Sequence, residues 1–239
     1  MNRDMATQRE ARPPSEHAFD GAAPFYDSWF STPLGGTVDA LEKDLLYGLA
    51  APRPGERALE VGTGTGHFAL DLTRRGLDVV GVDISAPMLA AAASKDIATH
   101  WLRGDAAALP CCACSFDLVL CVTALEFVAN RERAVEEMWR VVRPGGRLVI
   151  AVLNAWSPWA WARRRESRAQ ETPFSHAHFF HPGEFVGLLR RFGRVAWSSS
   201  VFVGPEGTGL RWAWGLERAG RIVLRPFGAL LVGRLNKCT

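Results

Sequence analysis

No run of about 18 apolar residues occurs anywhere in this 239-residue sequence, so no transmembrane helix is expected. No apolar stretch follows a basic start, so a secretory leader is not expected either, and the cytoplasm is the default compartment. Charge of one sign is scarce: 28 Lys and Arg against 25 Asp and Glu leave a net charge of +3, too little to imply a nucleic-acid partner. The five cysteines (Cys111, Cys112, Cys114, Cys121, Cys238) are too few and odd in number for a disulfide framework, which fits a reducing compartment. Internal repeats and low-complexity tracts are lacking, and no Gly-Lys-Ser/Thr follows a glycine turn, so a P-loop is excluded.

What is present is the composition of an ordinary globular chain, 48 % hydrophobic and 22 % charged, long enough for one sizeable α/β domain. Residues 1–18 are polar without apolar periodicity and are expected to be disordered. The remainder, 19–239, reads as a single domain. It divides into an N-terminal cap (19–51), a ligand-binding core (57–153) and a cap-like insertion (154–182).

Within the core, short apolar runs alternate with helical patterns. Strands are expected at 57–61, 78–83, 98–105, 116–122 and 147–153, and helices at 66–76, 86–96 and 131–142. "RPGG" at 143–146 is expected to break the last helix. A further helix is expected at 183–192, and 194–204 with 227–235 form a terminal pair of strands. Strands alternating with helices imply right-handed crossovers, and hence a doubly wound, Rossmann-like, mostly parallel sheet with helices on both faces and an antiparallel C-terminal pair.

In such a sheet, ligands sit beyond the carboxyl ends of the strands, at the switch point. There the sequence reads "RALEVGTGTGHFALDL" (57–72). Gly64, Gly66 and Ala69 satisfy the dinucleotide pattern, with Asp83 at the spacing of a ribose-binding acid. Read instead as E-x-G-x-G-x-G, the stretch sets Glu60 before Gly62, Thr63, Gly64 and Gly66. A carboxylate there repels a pyrophosphate and suits an ammonium or sulfonium ligand. S-adenosylmethionine carries both cations and no phosphate. The other strand ends agree: Asp83 is placed for the ribose hydroxyls, Ile84 and Met88 for the adenine face, and Asp105 for the adenine amino group.

The pieces "LEVGTGTGHFALDL", "GVDISAPML", "GDAAALP", "FDLVLCVTALEFV" and "RVVRPGGRLVI" occur in order across 57–153. Together they resemble the class I S-adenosylmethionine-dependent methyltransferases, in particular the small-molecule enzymes of the ubiquinone/menaquinone-methyltransferase-like group. The resemblance implies methyl transfer to a small-molecule acceptor. It carries Glu60, Gly62, Gly64, Gly66, Asp83 and Asp105 over as cofactor contacts, alongside which Thr63, Ala106 and Thr123 are expected. It does not say whether oxygen, nitrogen, carbon or sulfur is methylated.

Four other stretches bear on the acceptor. "FYDSWFSTPLGG" packs Phe25, Tyr26, Trp29 and Phe30 into six residues. It is expected to fold over the cofactor as a lid, with Tyr26 at the methionine end and Trp29 walling the acceptor pocket. Gly35 and Gly36 supply a bend before a helix starting near Thr37; the competing expectation is rings packed under that helix. Glu126 and His178 are candidates for a general base and for acceptor contact. His176 and His181 read as surface or capping residues. "CCAC" (111–114) could suit a soft ion, but adjacent cysteines point apart in an extended chain, so it reads as a loop and no metal is expected. The basic, tryptophan-rich "WSPWAWARRRESR" (156–168) reads first as a helix covering the sheet edge. Peripheral contact with an anionic membrane, without a stable anchor, stands second. Two rival functions remain: a nicotinamide-dependent oxidoreductase, and a non-catalytic S-adenosylmethionine-binding protein at a membrane surface.

Overall fold

A computed structural model describes residues 19–95 and 99–238, so the expected disorder of 1–18 lies outside the described residues. The strands are β1 (Arg57–Val61), β2 (Asp78–Asp83), β3 (His100–Arg103), β4 (Phe116–Val122), β5 (Val142–Leu153), β6 (Val195–Ser200) and β7 (Leu230–Asn236). They form one sheet in the order β3-β2-β1-β4-β5-β7-β6. All neighbours are parallel except β5 with β7 and β6 with β7. The order reverses between β1 and β4, which is the switch point where a doubly wound sheet opens a crevice.

The helices are α1 (Pro33–Ala50), α2 (His67–Arg74), α3 (Ala86–Ala93), α4 (Arg131–Val141), α5 (Pro158–Ala169), α6 (Pro182–Arg190) and α7 (Ala213–Val223). Every residue of β4 is buried, because helices cover both sheet faces and each alternate side chain needs an apolar partner. Leu118, Leu120 and Val122 meet Leu45 and Leu46 of α1 and Phe68 and Leu72 of α2. Val119 and Cys121 face the opposite way, toward Met138 of α4 and Phe185 of α6.

Helix starts follow local chemistry. Ser85 accepts from Met88 N (3.3 Å) ahead of α3, with Pro87 in the first turn, and Asn130 accepts from Arg133 N (3.0 Å) ahead of α4. Buried Arg147 on β5 joins the end of α1 to the approach to β1. Its guanidinium donates to both oxygens of Glu56 (2.9 and 2.7 Å), to Ala51 O (2.9 Å) and to Ala50 O.

Three expectations are corrected. "RPGG" does not separate α4 from the strand: β5 begins at Val142. Phe116 pairs with Val142 and Leu118 with Arg147, so 143–146 bulge out of the ladder. α1 begins at Pro33, capped by Thr32 (Gly35 N to Oγ1, 2.9 Å), so Gly35 and Gly36 lie inside its first turn and make no bend before it. α7 lies unforeseen between the two terminal strands; Gly215 and Gly220 interrupt the apolar pattern that would have announced it. Among the described residues no helix is long and apolar enough to cross a membrane.

Candidate functional site

β1 delivers the chain to a turn in which Gly62, Gly64 and Gly66 all take positive φ (72°, 53° and 80°), a backbone that side-chain-bearing residues resist. At Gly62 close approach adds to this: a Cβ there would stand 2.1 Å from the Ala124 Cβ, beyond the end of β4. The turn's amides are mostly consumed within the protein. Gly62 and Thr63 donate to Val82 O (2.8 and 3.0 Å), and Gly66 donates to Thr63 O (2.9 Å). Gly64 donates to Asp83 Oδ2 (2.7 Å). An anion needs a nest of free N–H groups, and this turn spends them.

Glu60 is 1 % exposed and accepts from Thr63 Oγ1 (2.6 Å). Burial pushes its carboxyl up to about 8, against the lowering effect of the Thr63 bond. Through Thr63, Glu60 braces the turn. Asp83, at the end of β2, accepts from Ser85 N at Oδ1 (2.9 Å) and from Gly64 N at Oδ2. Burial raises its carboxyl while these backbone bonds hold it down. Each oxygen keeps a second lone pair for a ligand hydroxyl. Past β3, Asp105 accepts from Ala107 N (2.8 Å) and closes a tight turn.

These residues line one pocket with Thr63, Ile84, Met88, Ala106 and Thr123. Its described lining includes the three carboxyl groups of Glu60, Asp83 and Asp105 and not one Lys or Arg. That is the wrong electrostatics for a pyrophosphate and a suitable one for a cation.

A methyltransferase domain model matches residues 59–150. Over 147 residues the chain is 38 % identical to a demethylmenaquinone methyltransferase of Beutenbergia cavernae, covering 59 % of this chain and 58 % of that one. It is 32 % identical over 143 residues to a malonyl-[acyl-carrier protein] O-methyltransferase of Serratia marcescens, covering 59 % of this chain and 52 % of the other. The chain thus spans little more than half the length of these relatives. A crystal structure of a SAM-dependent methyltransferase from Thermotoga maritima superposes with a TM-score of 0.72 at 25 % identity, covering 93 % of this chain and 99 % of that one. Residues 59–150 thus form a methyltransferase domain, on the fold of the S-adenosylmethionine-dependent methyltransferases. The family's cofactor fits the pocket's chemistry. Asp83 can accept from two ribose hydroxyls, Ile84 and Met88 offer apolar faces to a base, and no cation opposes the sulfonium.

A second cavity of about 560 Å³ adjoins the first, within the range of small-molecule sites. The two share Phe19, Tyr26, Phe30, Phe68, Thr123 and Phe127, a mostly aromatic collar. Thr123 holds a positive φ of 48° there, a strained backbone at the junction. Beyond the collar, Trp29, Trp159 and Phe174 continue the aromatic wall, with Glu42, Arg163, Glu166 and Glu206 as its charged members. The Arg163 guanidinium stacks over Phe174 (4.6 Å) and Trp159 (5.4 Å), and burial lowers its pKa. Burial pushes Glu42 up to about 7, with Arg163 pulling the other way. Burial, reinforced by Glu42, lifts the Tyr26 hydroxyl to about 12.

Glu42 and Arg163 escaped the sequence because α1 and α5 are distant in the chain. One signal existed: Glu42 follows Val38 by four residues and precedes Leu45 by three, so an acid interrupts the buried stripe of α1.

The segment before α1 roofs both cavities in two short 3-10 turns, Asp20–Ala22 and Tyr26–Ser31. Asp20 accepts from Ser85 Oγ (2.6 Å), and Asp27 accepts from Thr65 Oγ1 (2.7 Å) while pairing with Lys95. The Phe30 ring stacks on His67 at 3.9 Å. Gly35 serves this roof by close approach, since a Cβ there would lie 2.0 Å from Trp29 O.

Other expected site residues are placed elsewhere. Glu126 is fully buried, accepts from Leu153 N (2.5 Å) and lines neither cavity; its second oxygen has no hydrogen-bond partner among the described residues, and burial raises the carboxyl to about 7. The sequence put it near the end of β4 but could not say that the 3-10 turn Leu125–Phe127 sends it inward. His178 also lines neither cavity: its Nε2 lies 2.5 Å from Glu184 Oε1, and its ring meets Phe180 edge-on. His181 N donates to Glu184 Oε2 (3.2 Å) at the start of α6, and His176 lies 3.6 Å from Glu171. Cys112 and Cys114 are exposed, and Cys111 is half-buried in the same loop.

Proposed function

We propose that this protein transfers the methyl group of S-adenosylmethionine to a small, largely apolar acceptor held in the aromatic cavity. One observation carries this reading: a cation-free, carboxylate-bearing pocket at the switch point meets a roomy aromatic cavity across a shared collar. When bound, the cofactor supplies an electrophilic methyl on a sulfonium that departs as a neutral thioether. Transfer is an in-line displacement, so the protein's main contributions are alignment and exclusion of water.

Asp83 holds the ribose hydroxyls, Ile84 and Met88 sandwich the adenine, and Asp105 beside Ala106 takes its amino group. Gly62, Gly64 and Gly66 let the chain pass close beneath the ligand, with Glu60 and Thr63 bracing the turn from behind. Tyr26 and Thr123 flank the methyl at the collar, and Trp29 walls the acceptor. The roof over 19–31 opens to admit both ligands and closes to keep water out.

Of the groups lining the acceptor cavity, Glu42 is the one suited to take a proton from an acceptor hydroxyl or amine. Its raised value of about 7 leaves it able to accept near neutral pH. Neither Glu126 nor His178 faces that cavity.

Titration calorimetry tests the cofactor assignment. S-adenosylhomocysteine should bind at a single site, and NADH should give no heat. The reverse result would restore the oxidoreductase alternative. For Glu42, release of S-adenosylhomocysteine in the presence of phenolic and amine acceptors should rise as pH passes through about 7, where the carboxyl loses its proton. Glu42→Gln should abolish that rise. An unchanged profile in the variant would assign the proton to solvent.

A further inference from the structure

Twelve large hydrophobic side chains are exposed among the described residues, and nine of them fall at 156–161 or along 212–227. α7 and the turns flanking it hold seven of the nine. The helix turns Ala213, Glu217 and Gly220 toward the protein, while Leu216, Ile222 and Val223 face outward, the last two 83 % and 75 % exposed. An amphipathic helix ordinarily buries its large apolar side chains; here they stay exposed, and the inner side carries Ala213, Glu217 and Gly220. Glu217 is tied down on the inner side by Ser200 Oγ (2.7 Å), Val201 N (3.0 Å) and Arg221 Nε (2.9 Å), which fixes the helix's rotation.

α5 contributes to the same side of the molecule. Its Trp159 shares a buried cluster with Ala213 of α7, and Trp156 just ahead of it lies 6.0 Å from the Phe227 ring. Trp159 does cover the protein, donating to Val203 O (2.8 Å). Trp161, by contrast, is 67 % exposed, as is Trp212. Two exposed indoles each carry a guanidinium, Arg165 over Trp161 (5.9 Å) and Arg211 over Trp212 (5.4 Å). Arg164, Arg165, Arg168, Arg211 and Arg218 are exposed across 156–169 and 206–227, against only Glu166 and Glu206 of the opposite sign.

We propose that the outer face of α5 and α7 docks on an anionic lipid surface. Indoles beside guanidinium groups suit the headgroup boundary, where the ring enters the apolar margin and the cation meets phosphate. Each arginine near such a surface adds its own attraction to anionic lipid. Ile222, Val223 and Leu216 supply the apolar area that electrostatics alone would lack. A second copy fits the face poorly, because a two-fold contact would set these arginines against their own equivalents. The docked face adjoins the acceptor cavity: the groove between α5 and 205–208 shares Ala162, Glu166, Pro205 and Glu206 with it. The docking does not depend on the methyl-transfer reading.

Vesicle flotation of the full chain tests it. Vesicles of equal parts phosphatidylcholine and phosphatidylglycerol should carry the protein up, and pure phosphatidylcholine should bind it at least tenfold more weakly. The double variant Ile222→Glu with Val223→Glu should lose at least tenfold of the anionic-vesicle affinity, and Trp161→Ala with Trp212→Ala should lose severalfold. S-adenosylhomocysteine affinity should stay unchanged in both, which separates loss of docking from loss of fold. No flotation of wild type, or equal flotation on both lipids, overturns the proposal. So does a dimer in light scattering that the Ile222→Glu and Val223→Glu pair dissolves without any vesicle binding. Failure to bind S-adenosylhomocysteine in the wild type would instead count against the methyltransferase reading and leave the docking to stand on its own result.

Discussion

Asp83→Ala should weaken binding of S-adenosylhomocysteine by about 2–4 kcal/mol, roughly two charge-assisted hydrogen bonds of about 1.5–3 kcal/mol each, discounted because they overlap. At about 1.4 kcal/mol per tenfold, that is a loss of some thirtyfold to a thousandfold in Kd. The magnitude follows from how the carboxylate is held. Ser85 N and Gly64 N each bind one oxygen, so the carboxylate is already oriented before the ligand arrives. The same substitution strips Gly64 of its partner, so thermal unfolding should be followed alongside calorimetry. Asp83→Asn keeps one acceptor oxygen but turns its NH2 toward the other backbone N–H, so it should retain part of the affinity at some cost in stability. Equal affinity in wild type and Asp83→Ala would remove Asp83 from the ribose site.

Arg147→Ala should cost about 3–5 kcal/mol of folding stability, the range for breaking a buried pair from one side. It leaves Glu56 without its bidentate partner and strips a donor from the carbonyls of Ala50 and Ala51 at the end of α1. The pH dependence has a definite sign. Burial alone would raise the Glu56 carboxyl, but Arg147 outweighs it and holds the group below its ordinary value of 4.5. The unfolded chain therefore binds that proton first on acidification, and the pair's contribution, complete above 4.5, is lost as pH falls through the folded value. Arg147→Ala should be less stable at neutral pH and show a shallower loss in acid. Denaturant unfolding at several pH values measures both. A variant as stable as wild type at neutral pH would mean that burying the charges costs as much as their pairing returns.

Much of the site was legible because its chemistry sits in short local motifs at strand ends. Short continuous apolar runs located β1, β2 and β4, and once the crossovers are right-handed the topology carries Gly62, Asp83 and Thr123 to one crevice. The glycine turn was legible for its backbone, since three alternating glycines have few uses other than positive φ. The direction of its N–H groups was not legible. Whether an N–H faces a ligand depends on what lies across from it, and Val82 O and Asp83 come from the neighbouring strand.

His178 and Glu126 show the limit from the other side. Each stands within a few residues of a strand end or helix start, where sequence suggests a functional position. Their side chains turn toward Glu184 and Leu153 N instead, directions set by local turns that no residue pattern encodes.

The sequence by itself determined the sheet, its switch point, the acids at the ends of β2 and β3, and the resemblance to methyltransferases, because apolar runs and strand-end chemistry are properties of contiguous residues. Only the tertiary structure decided that Glu42 and Arg163 share the aromatic cavity, that Glu60 is engaged by Thr63, and that α7 leaves its large apolar side chains exposed. Those outcomes depend on which surfaces meet after the chain has crossed the sheet several times. Burial, and with it proton affinity and exposure, is a property of that meeting and not of the residues taken in order.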